Sequence, residues 1–256
     1  MITYLKALTL YLKSTIVAYY LFFNSPEWGI FRQADRITLR EVRQIPIPDF
    51  SLEEVSILAR LHDGFLSLEQ EAIKANTLTR EWATKLQEQL DTELCKILKI
   101  PPKLLLFAKE FMEIKLLLDD SYSKRRLLSN KPSRTQLYDY ALLFRDELDG
   151  FANDNRRHQV NISQGSDFTE CMIEIRYVDT VLEPIIHQNL GDSLTKLGEN
   201  LKQKHSQNVY IQKSLRVFDG PRVYIYKPTR LLDWTKTQAI NDAVSLVQEI
   251  LEFRIQ

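Results

Sequence analysis

The side chains in this sequence whose types and spacing could do chemistry are mostly cations. Arg32, Arg36, Arg40 and Arg43 recur every three or four residues. Lys124, Arg125, Arg126, Lys131 and Arg134 crowd a stretch with no acid after Asp120. Arg216 and Arg222 interleave with Phe218, Tyr224 and Tyr226 on one hairpin face, and Lys227 follows them. Such groups suit phosphate and bases, because guanidinium and ammonium groups neutralise a nucleic-acid backbone and aromatic rings stack on unpaired bases. Each set also has a plainer reading. The first would be a solvated edge neutralised by Asp35 and Glu41, the second a solvated linker, and the third tyrosines packed beneath a helix.

Catalytic spacing is missing. His62, His158, His187 and His205 are scattered, and neither Cys95 nor Cys171 has a partner two to four residues away, so no metal site is expected. There is no phosphate-cradling loop and no activated serine motif. Glu113-Ile114-Lys115 has a nuclease-like spelling but falls in a helical run, and Asp167, Glu170 and Glu174 lack a nearby lysine. The expectation is a non-enzyme with no cofactor.

Length and composition frame those residues. A chain of 256 residues can bury a sizeable core as one large or two small domains. Its 34 basic and 34 acidic residues cancel, so nucleic-acid contact has to come from local patches. Two cysteines give no disulfide framework and fit a reducing cytoplasm. The apolar opening, Leu5 to Phe23, is interrupted by Lys6 and Lys13 and is too short to span a bilayer. It reads as one helix buried on most sides, needing cover from the chain or a partner.

The elements follow from periodicity. Asp35 to Pro46 reads as a short strand, and Ser51 with Glu54 as a capping box opening a helix. Helices are expected at about Thr79 to Leu98 and Lys103 to Leu118. Ser121 to Arg134 reads as a basic linker, followed by a helix with Leu137, Tyr140, Phe144, Leu148 and Phe151 on one face. Period-two patterns at Val160 and Ile162, and from Cys171 to Tyr177, predict two strands. A helix is expected from Leu182 to Lys204, then a hairpin over 208–227. Its three-residue loop, Asp219-Gly220-Pro221, would place Val217 opposite Val223. The last helix, about Asp233 to Phe253, is expected to bury Ile240, Val244, Val247 and Leu251. The fold class is α+β: a mostly helical region over 1–120, a linker over 121–134, and a small antiparallel sheet flanked by helices over 135–256.

Several stretches, in this order, resemble the region behind the catalytic domain of large adenine-specific DNA methyltransferases of bacterial restriction-modification type. They are SPEWGIFRQADRITLREVRQIPIPDF (Ser25 to Phe50), LLLFAKEFMEIKLLLDD, LYDYALLFRDELDGFANDNRRHQV (Leu137 to Val160) and SLRVFDGPRVYIYKPTRLLDWTKTQAINDA (Ser214 to Ala243). In that family a helix like YLKALTLYLKSTIVAYYLFF precedes the first stretch. Here it starts at residue 3, leaving no room for a methyltransferase domain before it. Catalytic motifs are also lacking, since Asn24-Ser25-Pro26-Glu27-Trp28 is a poor match to the adenine-holding loop and 7 glycines form no donor-binding turn. The resemblance implies a non-catalytic DNA-recognition or accessory subunit of a restriction-modification or phage-defence system. It would bind double-stranded DNA and act with a separately encoded methyltransferase, placing function on Trp28, Arg32, Arg36, Arg43, Arg216, Lys227 and Trp234. The alternative is a docking module that uses its apolar first helix on a partner or on its own copy, without DNA.

Overall fold

The computed structural model describes residues 1–25, 37–119, 129–152, 155–187 and 214–253. The fold is α+β, with eight α-helices and a five-stranded sheet among those residues. The chain divides into two compact units, Met1–Lys115 and Leu116–Gln256. No helix among the described residues is long and apolar enough to cross a membrane.

The first unit is helical. The apolar opening is two helices rather than one, α1 (Ile2–Leu12) and α2 (Thr15–Asn24). The break falls at Ser14, whose hydroxyl donates to the Tyr11 carbonyl at 2.7 Å and accepts from the Val17 amide at 3.3 Å. Asp91, fully buried, accepts from the Thr15 amide at 2.8 Å and from its hydroxyl at 2.7 Å. A carboxylate at a helix N-terminus complements both the free amides and the dipole, which fixes the break there. The expected strand near 35–46 is instead, where described, a one-turn helix α3 (Leu39–Val42). Thr38 and Glu41 form a capping box, and Glu41 also binds the Ser25 hydroxyl. That box outweighs the β-branched pattern, because it satisfies donors that a lone strand would leave open.

Helices α4 (Leu52–Lys74), α5 (Arg80–Ile97) and α6 (Pro102–Asp119) follow where the periodicity places them. The Ser51–Glu54 box forms, with the Ser51 amide 2.8 Å from the Glu54 carboxylate. Leu10, Tyr11, Val17 and Leu21 pack with Val55, Leu58, Leu90 and Leu94. The opening helices are therefore largely covered by their own chain, while the first turn, with Ile2 and Leu5, and Phe23 near the end of α2 stay exposed.

The second unit sets two helices on one face of a sheet. Helix α7 (Arg134–Phe151) opens with a Ser133–Gln136 capping box. Strands β1 (Arg157–Gln164), β2 (Phe168–Arg176), β3 (Ile185–His187), β4 (Leu215–Asp219) and β5 (Arg222–Pro228) are ordered β3-β1-β2-β5-β4. All neighbours are antiparallel except β3, which runs parallel to β1, so the sheet is mixed rather than purely antiparallel. The helix expected from Leu182 begins instead with this edge strand, and its remainder from 188 lies outside the described residues.

A 3-10 turn (Leu231–Trp234) leads into α8 (Lys236–Phe253). Helix α8 buries Ala239, Ile240, Ala243 and Leu246, while Val244 and Leu251 of the expected stripe stay exposed. Phe151, placed on the buried face of α7 by its spacing, is exposed as well. Small residues decide the contact: Ala141 on α7 and Ala239 and Ala243 on α8 are all fully buried, which allows close packing. Val160, Ile162, Cys171, Ile173, Val223 and Ile225 complete the core from the sheet.

Candidate nucleic-acid interface

Strand alternation settles which residues face the helices. Val160, Ile162, Cys171, Ile173, Val223 and Ile225 point into the core, so their neighbours in sequence point to the opposite face. Register then assembles side chains distant in sequence. Arg157 stands opposite Arg176, Glu174 opposite Arg222, Met172 opposite Tyr224, and Glu170 opposite Tyr226.

Glu174 is the hub of this face. Arg176 donates to its Oε2 from Nη2 at 2.7 Å and from Nε at 2.9 Å, and Arg222 Nε donates to its Oε1 at 3.0 Å. The bond from Arg176, then that from Arg222, holds the carboxyl below the usual carboxylate range. Arg157 donates from Nη1 to the Arg156 carbonyl at 3.0 Å, and its Nε is buried without a partner. Just beyond the strand ends, the Arg156 guanidinium lies 5.8 Å from the centre of the Tyr177 ring.

Two arginines thus share Glu174, with Arg157 opposite Arg176 across the strands and Asp219 opposite Arg222 as a second acid. Arginines directly opposite one another weaken a sheet. The fold keeps Arg157 against Arg176 with only one carboxylate between Arg176 and Arg222. Beside this cluster, Tyr224 and Tyr226 hold their rings nearly parallel, 7° apart with centroids at 6.4 Å. The Tyr226 hydroxyl bonds Glu170, whose carboxyl is raised by burial more than this bond lowers it.

The hairpin register differs from the expected one. Asp219 pairs with Arg222, so the loop is two residues, Gly220-Pro221, and Val217 stands opposite Tyr224 rather than Val223. The shift separates side chains that the three-residue loop would have put on one face. Arg222, Tyr224 and Tyr226 stay on the open face, whereas Arg216 and Phe218 turn to the helix side, opposite Ile225 and Val223.

Arg216 therefore ties β4 to α8, bonding Glu249 at 2.6 Å and the Ser245 hydroxyl at 3.0 Å. Its side chain is 13% exposed and already paired, so it serves packing before any ligand. Lys227 departs further from a DNA contact, being 2% exposed. Its Nζ lies 2.5 Å from Asp242 Oδ2, 3.3 Å from the Tyr140 hydroxyl and 2.5 Å from the Asp233 carbonyl. The ammonium also sits over the Tyr140 and Trp234 rings, at 4.5 and 4.3 Å from their centres. Burial pulls its pKa below the usual lysine value, and Asp242 acts in the opposite sense. Lys227 and Trp234 are core residues, buried because the strand parity that brings Ile225 inward brings Lys227 with it.

Of the other expected phosphate contacts, Arg40 and Arg43 are exposed at and just after α3 in the first unit. Lys131 and Arg134 are exposed at the start of α7. Gln164 at the far end of β1 donates to the Pro132 carbonyl, which puts that pair about 20 Å from Arg157 along the strand. Trp28, Arg32, Arg36, Lys124, Arg125 and Arg126 lie outside the described residues.

Arg157 and Arg176 were not singled out in the sequence. The signal was the out-of-phase half of the period-two pattern, since each strand that buries Ile or Val at one parity shows Arg at the other.

Among the described residues no three His, Cys, Asp or Glu side chains could hold a metal ion. The nearest thing to a catalytic pair is His158 and Asp149. The aspartate accepts from the ring Nδ1 at 2.8 Å and from the His158 amide at 2.9 Å, stapling the end of α7 to β1. Cys171 is fully buried and its thiol is pushed up by that burial. No family model, no curated protein and no solved structure matches the chain.

Proposed function

We propose that this chain is a non-catalytic DNA-recognition or accessory subunit of a restriction-modification or phage-defence system, acting with an adenine DNA methyltransferase. The observation that carries the reading is the arginine cluster on the open sheet face. Arg157, Arg176 and Arg222 are held together against mutual repulsion, and packing of the core does not require them. Cations assembled this way suit phosphates, which position a protein on nucleic acid without reading its sequence. The order of motifs resembling the rear region of adenine methyltransferases supports the choice of system and partner.

Anisotropy of a labelled duplex at two salt concentrations tests it. With about three phosphates neutralised, affinity should fall roughly 40-fold between about 50 and 200 mM salt. The charge reversals Arg176→Glu and Arg222→Glu together should flatten that dependence. Salt-independent binding, or none at low salt with or without a methyltransferase partner, would overturn the reading.

A further inference from the structure

We infer that the open face of the second unit's sheet binds unpaired nucleotides, with Tyr224 and Tyr226 stacking on bases while Arg157, Arg176 and Arg222 hold the phosphates. This rests on the nucleic-acid reading above and names the form of nucleic acid the face takes.

The argument is geometric. Arg222, Tyr224 and Tyr226 occupy positions i, i+2 and i+4 of one strand, so they stand in a row on one face, each about 6.8 Å from the next. A cation followed by two parallel rings at that spacing matches a strand whose phosphate meets the arginine and whose bases lie over the rings. A duplex offers base edges in its grooves and hides base faces within its stack. Parallel rings on an open sheet have no use for edges, whereas splayed bases stack on such surfaces. The flanks fit as well. Met172 and Val217 stand on either side of Tyr224, and Leu215 stands beside Tyr226, giving the rings apolar borders. Of the acids beside the row, Glu174 is engaged by two arginines and Glu170 by the Tyr226 hydroxyl, while Asp219 stands opposite Arg222 at the turn.

Anisotropy of a short labelled oligonucleotide, single-stranded and as its duplex, tests this on the full chain. The single strand should bind more tightly. Tyr224→Ala with Tyr226→Ala should weaken single-strand binding by at least about 30-fold, and leave duplex binding within about twofold. Tyr224→Phe alone keeps both rings and the bond from Tyr226 to Glu170 and should bind as the parent does, which separates stacking from loss of fold. A thermal melt of each variant accompanies the titrations. Equal loss in the Phe variant, no loss in the Ala variant, or tighter binding of the duplex by the parent chain would each overturn the inference. Duplex binding with no single-strand preference would overturn it while leaving the DNA-recognition reading intact. No binding of either form would overturn both.

Discussion

At the scale of single residues, Lys227 is tightly constrained, buried with a carboxylate, a carbonyl and two rings around its ammonium. A lysine that is 2% exposed survives only with its charge satisfied, and it has Asp242, a carbonyl and two ring faces to do so. Its folded pKa is lowered, so the stability linked to this group is present above the ordinary lysine value and is lost as pH falls through the lowered one. Asp242 acts against that shift and is the group the lysine leaves unpaired when removed. Lys227→Met should accordingly destabilise by about 3–5 kcal/mol, because it leaves Asp242 buried without its cation. The triple variant Tyr140→Phe, Lys227→Met, Asp242→Leu removes the whole polar set and should recover to within about 2 kcal/mol of the parent. Urea denaturation of both reads this directly, and a silent single variant would show that the pair is not buried. The same residues explain part of what the sequence hid. In the tail motifs Lys227, Trp234 and Asp242 are spread over sixteen positions and look like surface chemistry, yet strand parity and one helical turn fold them onto Tyr140.

At the scale of elements, legibility tracked how local the deciding interaction is. The box at Ser51 and Glu54 and the periodicity of α5 and α6 involve residues a few positions apart, and each element formed as read. The break at Ser14 depends on Asp91, more than seventy residues away, and could not be seen locally. The face of α8 was misjudged because buried alanines carry little hydrophobic signal although they set the closest contacts. The hairpin turned on a single residue. Gly220 has φ +56° and precedes Pro221, whose ring holds φ near −65°, and that sequence of conformations is a two-residue type II′ turn. Asp219 is thereby released into the strand and the register moves by one. Gly220→Ala should cost about 1–2 kcal/mol through the left-handed backbone alone, since no heavy atom lies within 4 Å of the added Cβ. The check is a thermal melt with amide exchange across β4 and β5. An unchanged melt would mean the turn relaxes to another type, and with it the register that puts Val217 opposite Tyr224 and turns Arg216 to the helix side.

At the scale of the whole molecule, a net charge of zero leaves nucleic-acid contact to local clusters such as Arg176 and Arg222 about Glu174. The α+β class was legible from composition and periodicity, but the candidate interface was only partly so. Arg222, Tyr224 and Tyr226 are adjacent in sequence, whereas Arg157 and Arg176 join them only through pairing between strands. Each unit has its own core: Leu58 and Leu94 belong to the first, Phe144 and Ile225 to the second, and neither set draws on the other. The candidate interface lies wholly within the second. A fragment of residues 129–256 should therefore unfold cooperatively and bind nucleic acid with the salt dependence of the full chain. Circular dichroism melts and anisotropy titrations of the two proteins side by side make the comparison. If the fragment folds but loses more than about tenfold in affinity, a further 1.4 kcal/mol of binding must come from cations elsewhere. Arg40 and Arg43, exposed in the first unit, would be the first to reverse. If affinity and salt slope are retained, nucleic-acid binding belongs to the second unit alone, and under the proposed function the first unit is left for contact with a partner.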